Sequence, residues 1–134
     1  MSAYLADTQI VLWAGGSVDR LSAGVLDVLE DPNHHVRVSA VSIAEMAIKQ
    51  STGKLSLPVP PLELCSELGF DVLDLTGEHS QAVSTLPLLH RDPFDRLLIA
   101  QAITIAATLI TADDRIATYP NVAVLHNQTP PRAP

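Results

Sequence analysis

The chain has 134 residues, enough for one domain with a buried core. With 47% hydrophobic residues, 17% charged and a net charge of −7, it offers no broad basic surface for nucleic acid, though an acidic surface suits a basic protein partner. It contains no apolar run of the ~18 residues a membrane span needs, no basic N-terminal segment of signal-peptide type, and one cysteine, Cys65, which excludes an intramolecular disulfide and fits a reducing cytoplasm.

Tyr4-Leu5-Ala6-Asp7 reads as a buried first strand ending in an acid. A turn at Asp7-Thr8-Gln9 and a short helix through Ile10 to Trp13 follow, and Gly15-Gly16 break the helix. The next helix opens at Leu21-Ser22, carries Val25, Leu26, Val28 and Leu29 on one stripe, and stops at Asp31-Pro32-Asn33. The β-branched run from Val36 to Val41 predicts a second strand. Ser42 and Glu45 have capping-box spacing, opening a helix that closes near Ser51-Thr52-Gly53. A proline-rich linker, Leu57 to Pro61, leads to a helix around Leu62 to Leu68, where Cys65 reads as a small core residue.

Asp71 to Leu75 is the third strand, and Thr76 caps a helix that Pro87 ends. The polar run His90-Arg91-Asp92-Pro93-Phe94-Asp95-Arg96 then enters a helix reaching about Ala106. Pro93 suits its first position, Asp92 its N-cap and Asp95 its first turn. Thr108 to Thr111 is the fourth strand, Asp113-Asp114 start a short helix to Tyr119, and Val122 to Leu125 is the fifth. Strands alternating with helices predict one α/β domain over 1–127 with a central parallel sheet of about five strands and helices on both faces. The polar, proline-rich tail, 128–134, is expected to fray.

Four acids fall at one edge of that sheet. Asp7 ends the first strand, Glu45 lies near the start of the helix after the second, Asp95 begins the helix before the fourth, and Asp113 lies just beyond the fourth. Ligands of open parallel sheets bind at that carboxyl edge. Two carboxylates ~4 Å apart repel by about 4 kcal/mol at an effective dielectric near 20. A stability of about 5–15 kcal/mol would not gather four without a counterion. Hard divalent cations prefer such oxygens, and they can orient a phosphodiester and activate water. The helix N-termini at Asp95 and Glu45 would add positive potential toward a phosphate.

The same stretches resemble PIN-domain ribonucleases, in particular the VapC-type toxins of toxin–antitoxin pairs. The resemblance rests on Leu5-Ala6-Asp7-Thr8 with Leu12-Trp13, on Val38 through Lys49, on Gly53-Lys54-Leu55, on His90 through Ala102, and on Leu109 through Asp113. It implies a three-layer α/β/α PIN-like fold and cleavage of RNA by an endoribonuclease that depends on Mg²⁺ or Mn²⁺. It also implies a catalytic and metal-binding quartet at Asp7, Glu45, Asp95 and Asp113, inhibition by a cognate antitoxin, and a homodimer. The chain departs from the family at Ile105-Ala106-Ala107-Thr108, where a glutamate and a glycine are usual, and at His34-His35.

Thr8, Ser39 and Thr111 could hydrogen-bond a carboxylate or a metal-bound water, or serve ordinary turns. Asp92 reads as a helix cap more than a ligand, as does Asp114. Lys49, Arg91 and Arg96 could meet RNA phosphates or be solvated charge, and Trp13 reads as core or interface. The histidines give no zinc pattern: His34 and His35 would face apart on a strand, and His79, His90 and His126 lack ligand spacing. No nucleophile elbow or phosphate-binding glycine loop occurs. A receiver-type signalling domain would need an aspartate ending the third strand, where Leu75-Thr76 is expected. A PIN nuclease of RNA processing, outside a toxin pair, is the nearer alternative.

Overall fold

Strands β1 (Ala3–Ala6), β2 (His35–Ser39), β3 (Asp71–Leu73), β4 (Thr108–Thr111) and β5 (Val124–His126) form one parallel sheet in the order β3-β2-β1-β4-β5. The computed structural model describes residues 3–128, so the tail expected to fray lies outside the described residues from 129 on. Helices α1 (Thr8–Gly16), α2 (Ala23–Glu30), α3 (Ala40–Ser51), α4 (Pro61–Glu67), α5 (Gly77–Ala82), α6 (Pro93–Thr104) and α7 (Asp114–Ala117) cover both faces. None of them is long and apolar enough to cross a membrane.

Successive strand side chains point to opposite faces, which sorts the core into two halves. Ala6 and Ile110 join Ile10, Val25, Val38, Met46 and Cys65 on one face. Leu5 and Leu109 join Val41, Leu98, Ile99 and Ile116 on the other. Each large aliphatic side chain taken from water contributes about 1.5–3 kcal/mol, and β1 and β4 supply Leu5, Leu109 and Ile110, all fully buried. The chain steps outward from β1 through β2 to β3, then returns to place β4 on the other side of β1. That reversal opens a crevice where β1 and β4 end.

Local chemistry shifts several element boundaries. The turn expected at Asp7-Thr8-Gln9 is the first turn of α1, because the Asp7 carboxylate accepts from Ile10 N at 3.0 Å and caps the helix. β2 ends at Ser39 rather than Val41: Ser39 Oγ accepts from Val41 N at 3.0 Å and donates to Gln101 Oε1, which starts α3 at Ala40. Ser42 and Glu45 therefore lie inside α3 and form no capping box. β3 stops at Leu73, two residues early, and a 3-10 turn, Val83–Thr85, follows α5. β5 begins at Val124 rather than Val122. Past the end of α6, Ala106 takes φ 55°, the left-handed region that favours the glycine this chain lacks there.

Candidate active site

The crevice is built from helix starts. Asp7 follows β1 directly, its backbone N–H donating to Ile110 O of β4 at 3.0 Å, so its position is fixed by both central strands. Asp113 follows β4 by two residues and caps α7, accepting from Arg115 N at 2.9 Å, while its own N–H donates to Thr111 Oγ1 at 3.0 Å. Asp92 caps α6 through Phe94 N at 2.8 Å and Asp95 N at 3.2 Å, which orients the turn that carries Asp95. Glu45 comes from the second turn of α3. Thr8 Oγ1 has Glu45 Oε1 at 2.7 Å and Ser42 Oγ at 2.9 Å; its single proton can go to one of them, and the carboxylate is the stronger acceptor.

Asp7, Thr8, Glu45, Asp92, Asp95 and Asp113 thus line one cleft of about 420 Å³, together with Trp13, Lys49 and Arg115. Thr111 lies buried beneath it. Burial pushes the Asp7 carboxyl up to about 7. Hydrogen bonds from Thr111 and the Ile10 amide oppose that rise, and the charges of Asp95 and Glu45 add to it. Asp95 is raised as well, by burial first, against the hydrogen bond from His90 and with the charge of Asp92. Asp113 goes the other way, held below the usual carboxylate range mainly by its hydrogen bonds with Arg115.

Carboxylates gathered at this density match the oxygen preference of a hard divalent cation. Burial raises Asp7 and Asp95, and the charges of neighbouring acids add to the rise, so a cation beside them would favour their ionised forms. The donor set therefore fits such an ion. One grouping is tight: His90 Nε2, an Asp95 oxygen and an Asp113 oxygen all lie within 4.8 Å of one another.

Of the residues singled out from sequence, the four acids and Thr8, Thr111 and Asp92 meet at the cleft or directly beneath it. Arg96 does not. Its guanidinium donates to Pro87 O at 2.9 Å and Tyr119 Oη at 3.0 Å, tying down the turn after α5. A residue next to Asp95 on a helix is rotated about 100° away from it, which turns Arg96 from the cleft. Glu45 does not sit at a helix start, so of the two N-termini expected at Asp95 and Glu45 only that of α6 lies at its acid.

His90 is the residue that sequence reasoning missed. Buried, it places Nε2 at 2.7 Å from Asp95 Oδ2 and 3.8 Å from Asp113 Oδ2. The ring supports Asp95 when Nε2 carries the ring proton and donates it. Its nearness to Asp95 in the run was a usable signal; a search for zinc spacing could not find a histidine that serves carboxylates. Arg115 grips Asp113 and Lys49 grips Glu45 at 3.0 Å, the latter readable as an i,i+4 pair. His34 packs edge-on against Tyr4 and lies 3.4 Å from Asp31, while His35 meets Asp71.

An aspartate, Asp74, does follow β3 directly, contrary to the expected strand end. Yet β3 is the edge strand, whereas the receiver-type order 2-1-3-4-5 puts the third strand beside the first. The signalling alternative therefore fails on topology.

A family model for the PIN domain matches residues 4–122. Ribonuclease VapC22 of Mycobacterium tuberculosis is 27% identical over 122 residues, which is 89% of this chain and 93% of that protein. Similar solved structures include VapBC2 from Rickettsia felis bound to a DNA fragment from its promoter, with a TM-score of 0.71 and 19% identity, covering 94% of this chain and 99% of that one. Another is VapBC-5 from Mycobacterium tuberculosis, a member of the VapBC family of toxin-antitoxin systems, with a TM-score of 0.62 and 16% identity over 94% and 99%. At these identities the structural likeness speaks for the fold.

Proposed function

The chain belongs to the PIN-domain family, and from that premise we propose that it is a metal-dependent endoribonuclease, the toxin of a toxin–antitoxin pair. The observation that carries this reading is the convergence of Asp7, Glu45, Asp95 and Asp113 on one cleft where β1 and β4 end. The likeness to Ribonuclease VapC22 over nearly the whole of both chains supports RNA as the substrate. The VapBC complexes among its structural neighbours support a cognate antitoxin as partner. A homodimer belongs to the same reading.

The reaction is hydrolysis of a phosphodiester by water, with no covalent enzyme intermediate. Asp7, Glu45, Asp95 and Asp113 would hold Mg²⁺ or Mn²⁺. Such an ion, when bound, supplies positive charge for the phosphate and lowers the pKa of a water molecule. The chain's own part is to keep the oxygens in place beforehand. Asp7 is fixed by the Ile10 amide, Glu45 by Thr8, Asp95 by His90, and Asp113 by the Arg115 backbone N–H. Such supporting contacts to ligands affect metal affinity by about 10–100-fold. The first-turn amides of α6, a 12-residue helix, add positive potential where a phosphate would lie.

The test is cleavage of a pool of cellular RNAs in Mg²⁺ or Mn²⁺, with an EDTA control and the Asp7→Asn variant. The expected result is cleavage that needs the ion and disappears in the variant. Cleavage that persists in EDTA, or that Asp7→Asn retains in full, overturns the reading. Growth arrest on expression, relieved by co-expression of a candidate antitoxin from a neighbouring reading frame, would separate a toxin from an RNA-processing nuclease.

A further inference from the structure

The chain has only eight lysines and arginines, yet two of them rest on the acids of the cleft. Arg115 reaches back from α7 with Nε at 3.1 Å from Asp113 Oδ1 and Nη2 at 3.0 Å from Oδ2, a fork that takes both oxygens. Lys49, one turn along α3, places Nζ at 3.0 Å from Glu45 Oε2. Neither arm is packed down: the Arg115 side chain is 66% exposed and that of Lys49 47%. Ion pairs open to solvent, like that of Arg115 with Asp113, contribute little, and Lys49 is half exposed although its partner Glu45 is buried, so either arm can leave its carboxylate once another cation takes it. The strand order β2-β1-β4 sets α3 and α7 on opposite sides of the end of β1, so the two arms flank Asp7.

We propose that Arg115 and Lys49 are substrate-binding arms, which pair with Asp113 and Glu45 and transfer to the RNA backbone when a divalent ion takes those carboxylates. The inference rests on the nuclease reading above and adds to it how the substrate is gripped. A guanidinium fork that fits a carboxylate also fits two phosphate oxygens, and the ammonium serves as a point charge on a flexible stem. Paired, each arm offsets part of the repulsion among the acids. Released, each would lie at the rim of the cleft within reach of a phosphate. No other described cation lines the cleft. Ion and RNA should therefore bind cooperatively, each strengthening the other by the same factor.

The experiment measures Mn²⁺ binding by electron paramagnetic resonance for the full chain, Arg115→Ala and Lys49→Ala. It also measures the affinity of a labelled single-stranded RNA at several salt concentrations, in Ca²⁺, chosen to separate binding from cleavage, and in EDTA. Each variant should bind Mn²⁺ roughly two- to fivefold tighter, because a competing ion pair is gone. Each should bind RNA more weakly in Ca²⁺ and unchanged in EDTA, with the salt slope in Ca²⁺ smaller by about 0.7 for the lost phosphate contact. Arg115→Lys should recover part of the loss. Unchanged or weaker Mn²⁺ binding in Arg115→Ala overturns the inference, and so does an equal loss of RNA affinity with and without the ion. A parent chain that binds no Mn²⁺ overturns the nuclease reading itself, and the inference with it.

Discussion

Asp7 and Asp113 occupy matching places in the fold: each follows a central parallel strand and each caps the helix that comes next. Their carboxyls are nevertheless driven in opposite directions, Asp7 up to about 7 and Asp113 below its usual range. Burial separates them. Asp7 is 5% exposed and has only neutral donors, an amide and a hydroxyl, to set against Asp95 and Glu45. Asp113 sits at the open rim with a guanidinium on both its oxygens. One wall of the cleft thus carries a costly buried charge and the other a compensated one. A carboxylate's role at a helix start does not set its proton affinity; what surrounds it does.

The sharpest break in that comparison is Asp7→Asn. Asparagine still caps α1, so the variant should fold, while RNA cleavage drops to the level of the EDTA control. The same substitution should act on stability. The folded-state pKa of Asp7 lies above the ordinary value of about 3.9, so between the two the folded protein binds more protons than the unfolded chain. Stability in EDTA should therefore fall as pH rises from about 4 to about 7, then level off. Asp7→Asn should flatten that slope, leaving the part that the raised Asp95 carboxyl contributes, and in EDTA should stabilise the protein at pH 8 by up to about 4 kcal/mol, as urea unfolding across the pH range would measure. Asp113, with its pKa lowered, works with the opposite sign: its stabilisation is present above the ordinary carboxylate range and is lost as pH falls through it. Because its pair is open to solvent, that term is small.

Smaller effects test the supports. Thr8→Val removes the hydroxyl that faces Glu45 and should weaken Mn²⁺ binding about tenfold, read from the same titration. Ala106→Gly lies outside both walls. It relieves the positive φ at the end of α6 and should add about 1 kcal/mol of stability while leaving cleavage untouched.

The acids were legible because three of them fall at strand or helix ends, where alternation and capping chemistry are local properties. The parallel sheet then carries them to one edge. Other features were not local. Ser39 and Ser42 can each begin a helix on sequence grounds, and only the buried contact of Ser39 with Gln101 selects the first. The order of the strands, which makes β3 an edge and disposes of Asp74, is a pairing choice that no single segment specifies. Arg96 and Arg115 are alike as charges in a sequence; one donates to the Val83–Pro87 turn and Tyr119, the other grips an acid. His90 became visible as part of the site only when the fold set it against Asp95 and Asp113.

The reading proposed for the cleft is that its buried wall and its open wall both serve to bind a divalent ion. Crystals of the chain soaked in Mn²⁺ test it through the anomalous difference map. The account predicts a peak in contact with Asp7 as well as Asp95 and Asp113, absent from crystals of Asp7→Asn. A peak held by His90, Asp95 and Asp113 alone and unchanged in Asp7→Asn, or no peak in the cleft, would contradict it.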